Sequence, residues 1–149
     1  MQLTIDCSDP QAMVTFWAEA LGYVPEPPPE GFANWDDWRR DVGFPDDELG
    51  IGADSIIDPR GEGPRIWFRV EPDAKVVKNR LHLDIHISGG RGPGQNRAVP
   101  LGRRTQLVDA EAKRLVGLGA TITGALTAEG LDHYAVGMKD PEGNEFDIN

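Results

Sequence analysis

Cysteine is almost missing from this chain. Cys7 is the only one among 149 residues, which excludes an internal disulfide and a multi-cysteine zinc centre. Its alternation with Leu3 and Ile5 makes it a core residue before it makes it a nucleophile. Basic residues are also short, 15 against 25 acidic ones, for a formal charge of -10. Phosphate backbones are bound by a basic stripe, and none is present, so nucleic acid and anionic membrane surfaces are excluded as partners. No apolar run is long enough to cross a bilayer. The opening Met1-Gln2-Leu3-Thr4-Ile5-Asp6 has neither the basic nor the apolar region of a secretion signal, so a cytoplasmic location is expected. A chain of this length buries one core, and one domain is expected.

Against these absences stands one informative stretch, Arg80-Leu81-His82-Leu83-Asp84-Ile85-His86-Ile87-Ser88. Leu81, Leu83, Ile85 and Ile87 alternate with polar residues, the period of a strand with one dry face and one ionisable face. Along such a strand His82 and Asp84 lie roughly 7 Å apart, and His82 and His86 roughly 13 Å apart, so the two histidines do not share one ion. His82, Asp84 and His86 are the polar-face candidates for a site. A lone strand histidine also serves to hydrogen-bond across a sheet, and Asp84 also fits a surface ion pair with Arg80 or Arg65.

The rest of the chain reads as two similar halves. Leu3, Ile5 and Cys7 alternate in a first strand, Asp9 caps a helix with Pro10 at its first position, and Met13, Phe16, Trp17 and Ala20 form its apolar stripe. Gly22 stops the helix, and Tyr23-Val24 opens a second strand. A proline-rich turn leads to Trp35, Trp38 and Val42 on one helical face, with Asn34 as cap and Gly43 as stop. This insertion either anchors itself through its two tryptophans or offers them to a ligand. Asp54–Asp58 and Arg65–Val70 read as paired strands.

In the second half, a glycine-rich loop from Gly89 to Gly94 lacks the spacing of a phosphate cradle. Val108, Ala112, Leu115 and Val116 form the next helical stripe, and Leu118-Gly119-Ala120-Thr121 repeats the ending Leu21-Gly22-Tyr23-Val24. Ala120–Thr123 is expected as a strand, Ala125–Asp132 as a loop, and His133–Met138 and Glu145–Asn149 as strands joined by the turn Asp140-Pro141-Glu142-Gly143-Asn144.

This duplicated order, that turn and the run Val77-Lys78-Asn79-Arg80-Leu81-His82-Leu83-Asp84 together resemble the vicinal oxygen chelate superfamily and its glyoxalase-like domains. The resemblance covers nearly the whole chain. It implies an α+β fold in which two βαβββ modules form a curved, half-open β-barrel around a cavity, with helices outside. The modules fall at about 1–72, with an inserted helix about 32–52, and about 79–149, with a linker about 73–78 between them. Carried over by position, the family's metal ligands fall on Gln2, His82 and Asp147, where Asp147 is shorter than the usual glutamate. The fourth falls in Arg65–Val70, where Trp67 or Phe68 stands in place of a carboxylate. A homodimer is also implied, with Phe16, Trp17, Trp35 and Trp38 as candidate interface.

Two functions follow. In one, the cavity binds or sequesters a small molecule without metal, using Trp67, Asp84, His86, Trp35 and Trp38. In the other, Gln2, His82 and Asp147 hold Zn, Ni or Mn, and Asp147 or Glu145 moves a proton in a lyase, isomerase or dioxygenase reaction. Whether the chain is an enzyme stays open on the sequence.

Overall fold

The computed structural model describes residues 1–89, 98–127 and 129–149. The chain divides into two compact units, Met1–Ala74 and Lys75–Asn149. Each is a βαβββ module, and the fold class is α+β.

In the first unit β1 (Gln2–Cys7), α1 (Pro10–Leu21), β2 (Val24–Pro25), β3 (Ser55–Ile57) and β4 (Arg65–Val70) build a sheet in the order β1-β4-β3-β2. β1 runs parallel to β4, and β3 is antiparallel to β2 and β4. Asp9 caps α1 by accepting from the Ala12 N–H at 3.0 Å, and Gly22 closes it with φ 68°. The stripe Met13, Phe16, Trp17 and Ala20 is buried against the sheet. Phe16 and Trp17 are each only 1% exposed, so they cannot supply the interface expected of them; a helix with one face to the sheet spends its largest aromatics in the core.

Between β2 and β3 the chain makes α2 (Trp35–Asp41) and one 3-10 turn (Asp46–Glu48). Asn34 accepts from the Asp37 N–H at 2.9 Å and caps α2, as its position predicts. The insertion is tied back at both ends: Asp36 accepts from the Gly50 N–H at 3.0 Å, and Gln11 donates to the carbonyls of Ile51 and Ala53.

The second unit repeats the pattern with β5 (Asp84–Ile85), α3 (Leu101–Gly117), β6 (Thr121–Leu126), β7 (Ala135–Lys139) and β8 (Glu145–Ile148), in the order β5-β8-β7-β6. Again the first strand is parallel to the last. Val108, Ala112 and Leu115 of α3 are buried and pack on β7 and β8 with Val136, Met138, Phe146 and Ile148. Val116, expected in that stripe, is 44% exposed.

Three expectations change. The strand expected over Arg80–Ser88 pairs in register only at Asp84–Ile85, leaving His82 just before it. Its dry face is not dry: Leu81 is 82% exposed, and Leu83, Ile85 and Ile87 are half-buried. Alternation in sequence marks two faces but does not supply a partner to cover one. β6 runs on to Leu126, where a loop was expected, because Leu126 pairs with Ala135. Residues 90–94 of the glycine-rich stretch lie outside the described residues.

Both modules begin the connection to their last strand with Asp-Pro. Asp58 accepts from the N–H groups of Arg60, Glu62 and Gly63 at 2.9, 3.2 and 2.9 Å. Asp140 accepts from those of Glu142 and Asn144 at 3.0 and 2.8 Å. Each aspartate precedes a proline and satisfies backbone donors that a tight turn would otherwise leave unpaired.

Candidate functional site

A cavity of about 740 Å³ opens in the first unit, within the size range of small-molecule sites. Its floor is one face of the sheet. Along β4, Ile66 and Phe68 are 2% and 0% exposed in the core, which turns Arg65, Trp67 and Arg69 to the opposite face, where they line the cavity with Gln2 of β1. Its wall is the insertion, which contributes Trp35, Trp38, Arg39, Phe44, Asp47, Glu48 and Ile51.

The aromatic groups are fixed by contacts with one another and by their polar edges. Trp35 and Trp38 meet edge to face at 5.4 Å between ring centres, and Trp38 lies 5.8 Å from Phe44. Trp35 donates its indole N–H to the Glu26 carbonyl at 2.9 Å, and Trp67 donates to Asp54 Oδ2 at 3.0 Å. With both indole edges engaged, the ring faces are what these two residues offer a ligand.

The cations of the cavity are also committed. Arg39, 4% exposed, bridges Asp36 at 3.3 Å and Asp54 at 3.4 Å, and its guanidinium lies 5.8 Å above the Trp35 ring. Arg65 pairs with Glu26 at 2.6 Å and donates to Ser55 Oγ at 2.9 Å and to Gln2 Oε1 at 2.8 Å. Arg69 pairs with Asp6 at 2.9 Å. Burial pushes the Glu26 carboxyl upward, but hydrogen bonds from Arg65 and Ser55, with the Arg65 charge, bring it below the ordinary carboxylate value.

In the second unit His82 and Asp147 come together, Nδ1 to Oδ2, at 3.4 Å. Lys78 Nζ lies 2.6 Å from His82 Nε2. An ammonium only donates, so Nε2 accepts and the proton sits on Nδ1, facing Asp147. Glu145 accepts from the Asn79 N–H and from Lys75, both at 2.9 Å; the Asn79 bond first and the lysine second lower its carboxyl to about 2. His86 donates from Nδ1 to Asn149 Oδ1 at 2.6 Å, and Asp84 is exposed beside it in β5. Of the residues singled out by sequence, the structure thus gathers Gln2, Trp35, Trp38 and Trp67 around one cavity and pairs His82 with Asp147.

The strand register also shows which first-unit residue is equivalent to Asp147. Thr4 pairs with Trp67 in the first sheet, and Asp84, which matches Thr4 in the repeat, pairs with Asp147 in the second. Trp67 is therefore the counterpart of Asp147, and an indole whose N–H is donated to Asp54 has no lone pair for an ion. The donor set does not fit a divalent metal. The one Gln2 atom that could coordinate accepts from a guanidinium, and His82 Nε2 accepts from an ammonium. Among the described residues no three His, Cys, Asp or Glu side chains group as they would around an ion. Arg65, Arg69 and Asp54 line the cavity without a motif in the sequence to mark them, although the period of β4 puts Arg65 and Arg69 on the Trp67 face.

The family model described as a glyoxalase-like domain matches residues 2–149. No curated protein is similar enough in sequence to match. Among solved structures, a glyoxalase/bleomycin resistance protein/dioxygenase family enzyme from Burkholderia phytofirmans PsJN is similar at TM-score 0.58 and 15% identity, covering 99% of this chain and 94% of that one. A variant of the fosfomycin resistance protein FosX from Listeria monocytogenes, solved with Mn(II) and 1S,2S-dihydroxypropylphosphonic acid, is similar at TM-score 0.56 and 12% identity, covering 99% and 86%. A glyoxalase-related enzyme from Fulvimarina pelagi gives TM-score 0.54 and 16% identity over 99% and 84%. At these identities the likeness concerns the fold.

Proposed function

The chain belongs to the glyoxalase-like domain family of the vicinal oxygen chelate superfamily, and from that premise we propose that it is a metal-free small-molecule-binding protein whose ligand enters the cavity of the first unit. The observation that carries the reading is Trp67: the strand position equivalent to Asp147 is an aromatic wall of the cavity. Burial of a planar ligand against Trp35, Trp38, Phe44 and Trp67 supplies the affinity, and the fixed ion pairs supply the shape. Asp84 and His86 belong to the second unit and are proposed only as polar contacts there. The proposal takes the protein as a cytoplasmic homodimer, as family members often pair; a monomer in sedimentation equilibrium at high concentration would remove the dimer.

A second reading, a divalent-metal enzyme, is favoured by the 3.4 Å contact of His82 with Asp147 and by the Mn(II) in the FosX variant. Under it Gln2, His82 and Asp147 would be donors and Asp147 or Glu145 the proton carrier; at about 2 the Glu145 carboxyl stays ionised and is a weak proton donor. One experiment separates the two. Untagged protein dialysed against EDTA is titrated with bicyclic aromatic compounds, and the indole N–H resonances of Trp35, Trp38 and Trp67 are followed by NMR. Shifts without added metal support the binder; shifts that return only with Zn(II), Ni(II) or Mn(II) support the enzyme.

A further inference from the structure

We infer that the cavity takes an organic cation with a flat apolar body, such as an aromatic or alkylated ammonium; this rests on the proposal that the cavity binds a small molecule. The reason lies in which charges are spent and which are not. Arg39, Arg65 and Arg69 are met by four carboxylates, Asp36, Asp54, Glu26 and Asp6, at 2.6–3.4 Å. An anionic ligand would have to break one of these pairs to reach a guanidinium. Asp47 and Glu48 line the cavity on its exposed rim and form no ion pair among the described residues. The uncommitted charge at the cavity is therefore negative.

The aromatic geometry points the same way. Trp35 and Trp67 spend their indole N–H groups on Glu26 and Asp54, so neither edge is left to donate to an anion. Ring faces carry the negative lobe of the aromatic quadrupole and attract cations. Trp35 already shows this preference within the fold, since the Arg39 guanidinium sits 5.8 Å above it. Trp38, Phe44 and Trp67 line the same cavity as the two rim carboxylates.

The test uses three probes of one shape and different charge: N-methylquinolinium, quinoline and quinaldate. Affinities are measured by calorimetry on the full chain, with the indole resonances as the map. The cation is expected to bind about ten times more tightly than quinoline, the ratio that a cation–π contact with a nearby carboxylate gives. It should shift Trp38 and Trp67 while leaving Trp17, sealed in the core at 1% exposure, unmoved. Asp47→Asn combined with Glu48→Gln, both on the exposed rim, should cut the preference to about twofold. Quinoline or quinaldate binding as tightly as the cation would overturn the inference while leaving the cavity as a binding site. Failure of all three to bind at millimolar concentration would overturn both.

Discussion

Trp67 and Asp147 occupy equivalent places in one duplicated pattern, and they do opposite things. Ser55 pairs with Trp67 as Gly137 pairs with Asp147, and three residues on from each partner stands the turn aspartate, Asp58 or Asp140. Toward the core the two units agree: Ile56 matches Met138, Ile66 matches Phe146 and Phe68 matches Ile148, all at 2% exposure or less. The large and medium side chains trade places between halves, so each core keeps its volume. On the other face the units part. The first carries Arg65, Trp67 and Arg69 under an aromatic insertion; the second carries His82 and Asp147 tied to Lys78. Packing holds the inner positions, while the outer face is free to change chemistry.

The largest effects should come from the inner positions. Phe68→Ala and Phe146→Ala are each expected to destabilise by about 3–5 kcal/mol in urea unfolding. Trp67→Ala, one residue from Phe68, should lose only about 1 kcal/mol, mainly its bond to Asp54, yet weaken aromatic probes tenfold or more. Equal losses at Trp67 and Phe68 would make Trp67 a core residue and break the comparison.

A second, smaller difference is electrostatic and belongs to Glu145. Its folded carboxyl lies at about 2, below the ordinary value of 4.5. A depressed value contributes stability above pH 4.5 that is lost as pH falls toward 2. Glu145→Gln should flatten that limb of the stability profile and leave neutral-pH ligand binding unchanged. An unchanged acid limb would mean that the bonds from Asn79 and Lys75 do not hold in solution.

The smallest effect is expected at Lys78. Lys78→Ala should change stability by less than about 0.5 kcal/mol, as for most surface substitutions. It should nonetheless let His82 exchange between tautomers, read from its imidazole nitrogen shifts. A single Nδ1–H form in both proteins would show that Asp147 alone orients the ring.

Local signals made much of the fold legible in the sequence. Asp9, Pro10 and Gly22 mark α1, Asn34 marks α2, and Asp140-Pro141-Glu142-Gly143-Asn144 marks the last hairpin, because caps and tight turns are set by neighbours in sequence. The strand expected over Arg80–Ser88 is shorter in the structure, since pairing depends on a partner far along the chain: β8 takes Asp84 and Ile85 into register and leaves Leu81 to solvent. For the cavity, Trp35, Trp38 and Trp67 were visible as aromatics in unusual places. Arg65 was not, because its role comes from contacts with Glu26, 39 residues away, and Gln2, 63 away. The Asp-Pro turn recurs at Asp58, but counting from it lands on Arg65, because this connection is two residues longer than the one after Asp140; only the strand register makes Trp67 the equivalent of Asp147.

The account turns on whether cationic side chains of the chain itself, rather than a metal ion, occupy the donor atoms of Gln2 and His82. Elemental analysis of untagged protein, purified without added metal and then equilibrated with Zn(II), Ni(II) and Mn(II), tests this most directly. The account predicts no stoichiometric metal, with Arg65 on Gln2 and Lys78 on His82 in place of an ion. One equivalent per chain in the native protein, lost in His82→Ala, would contradict it.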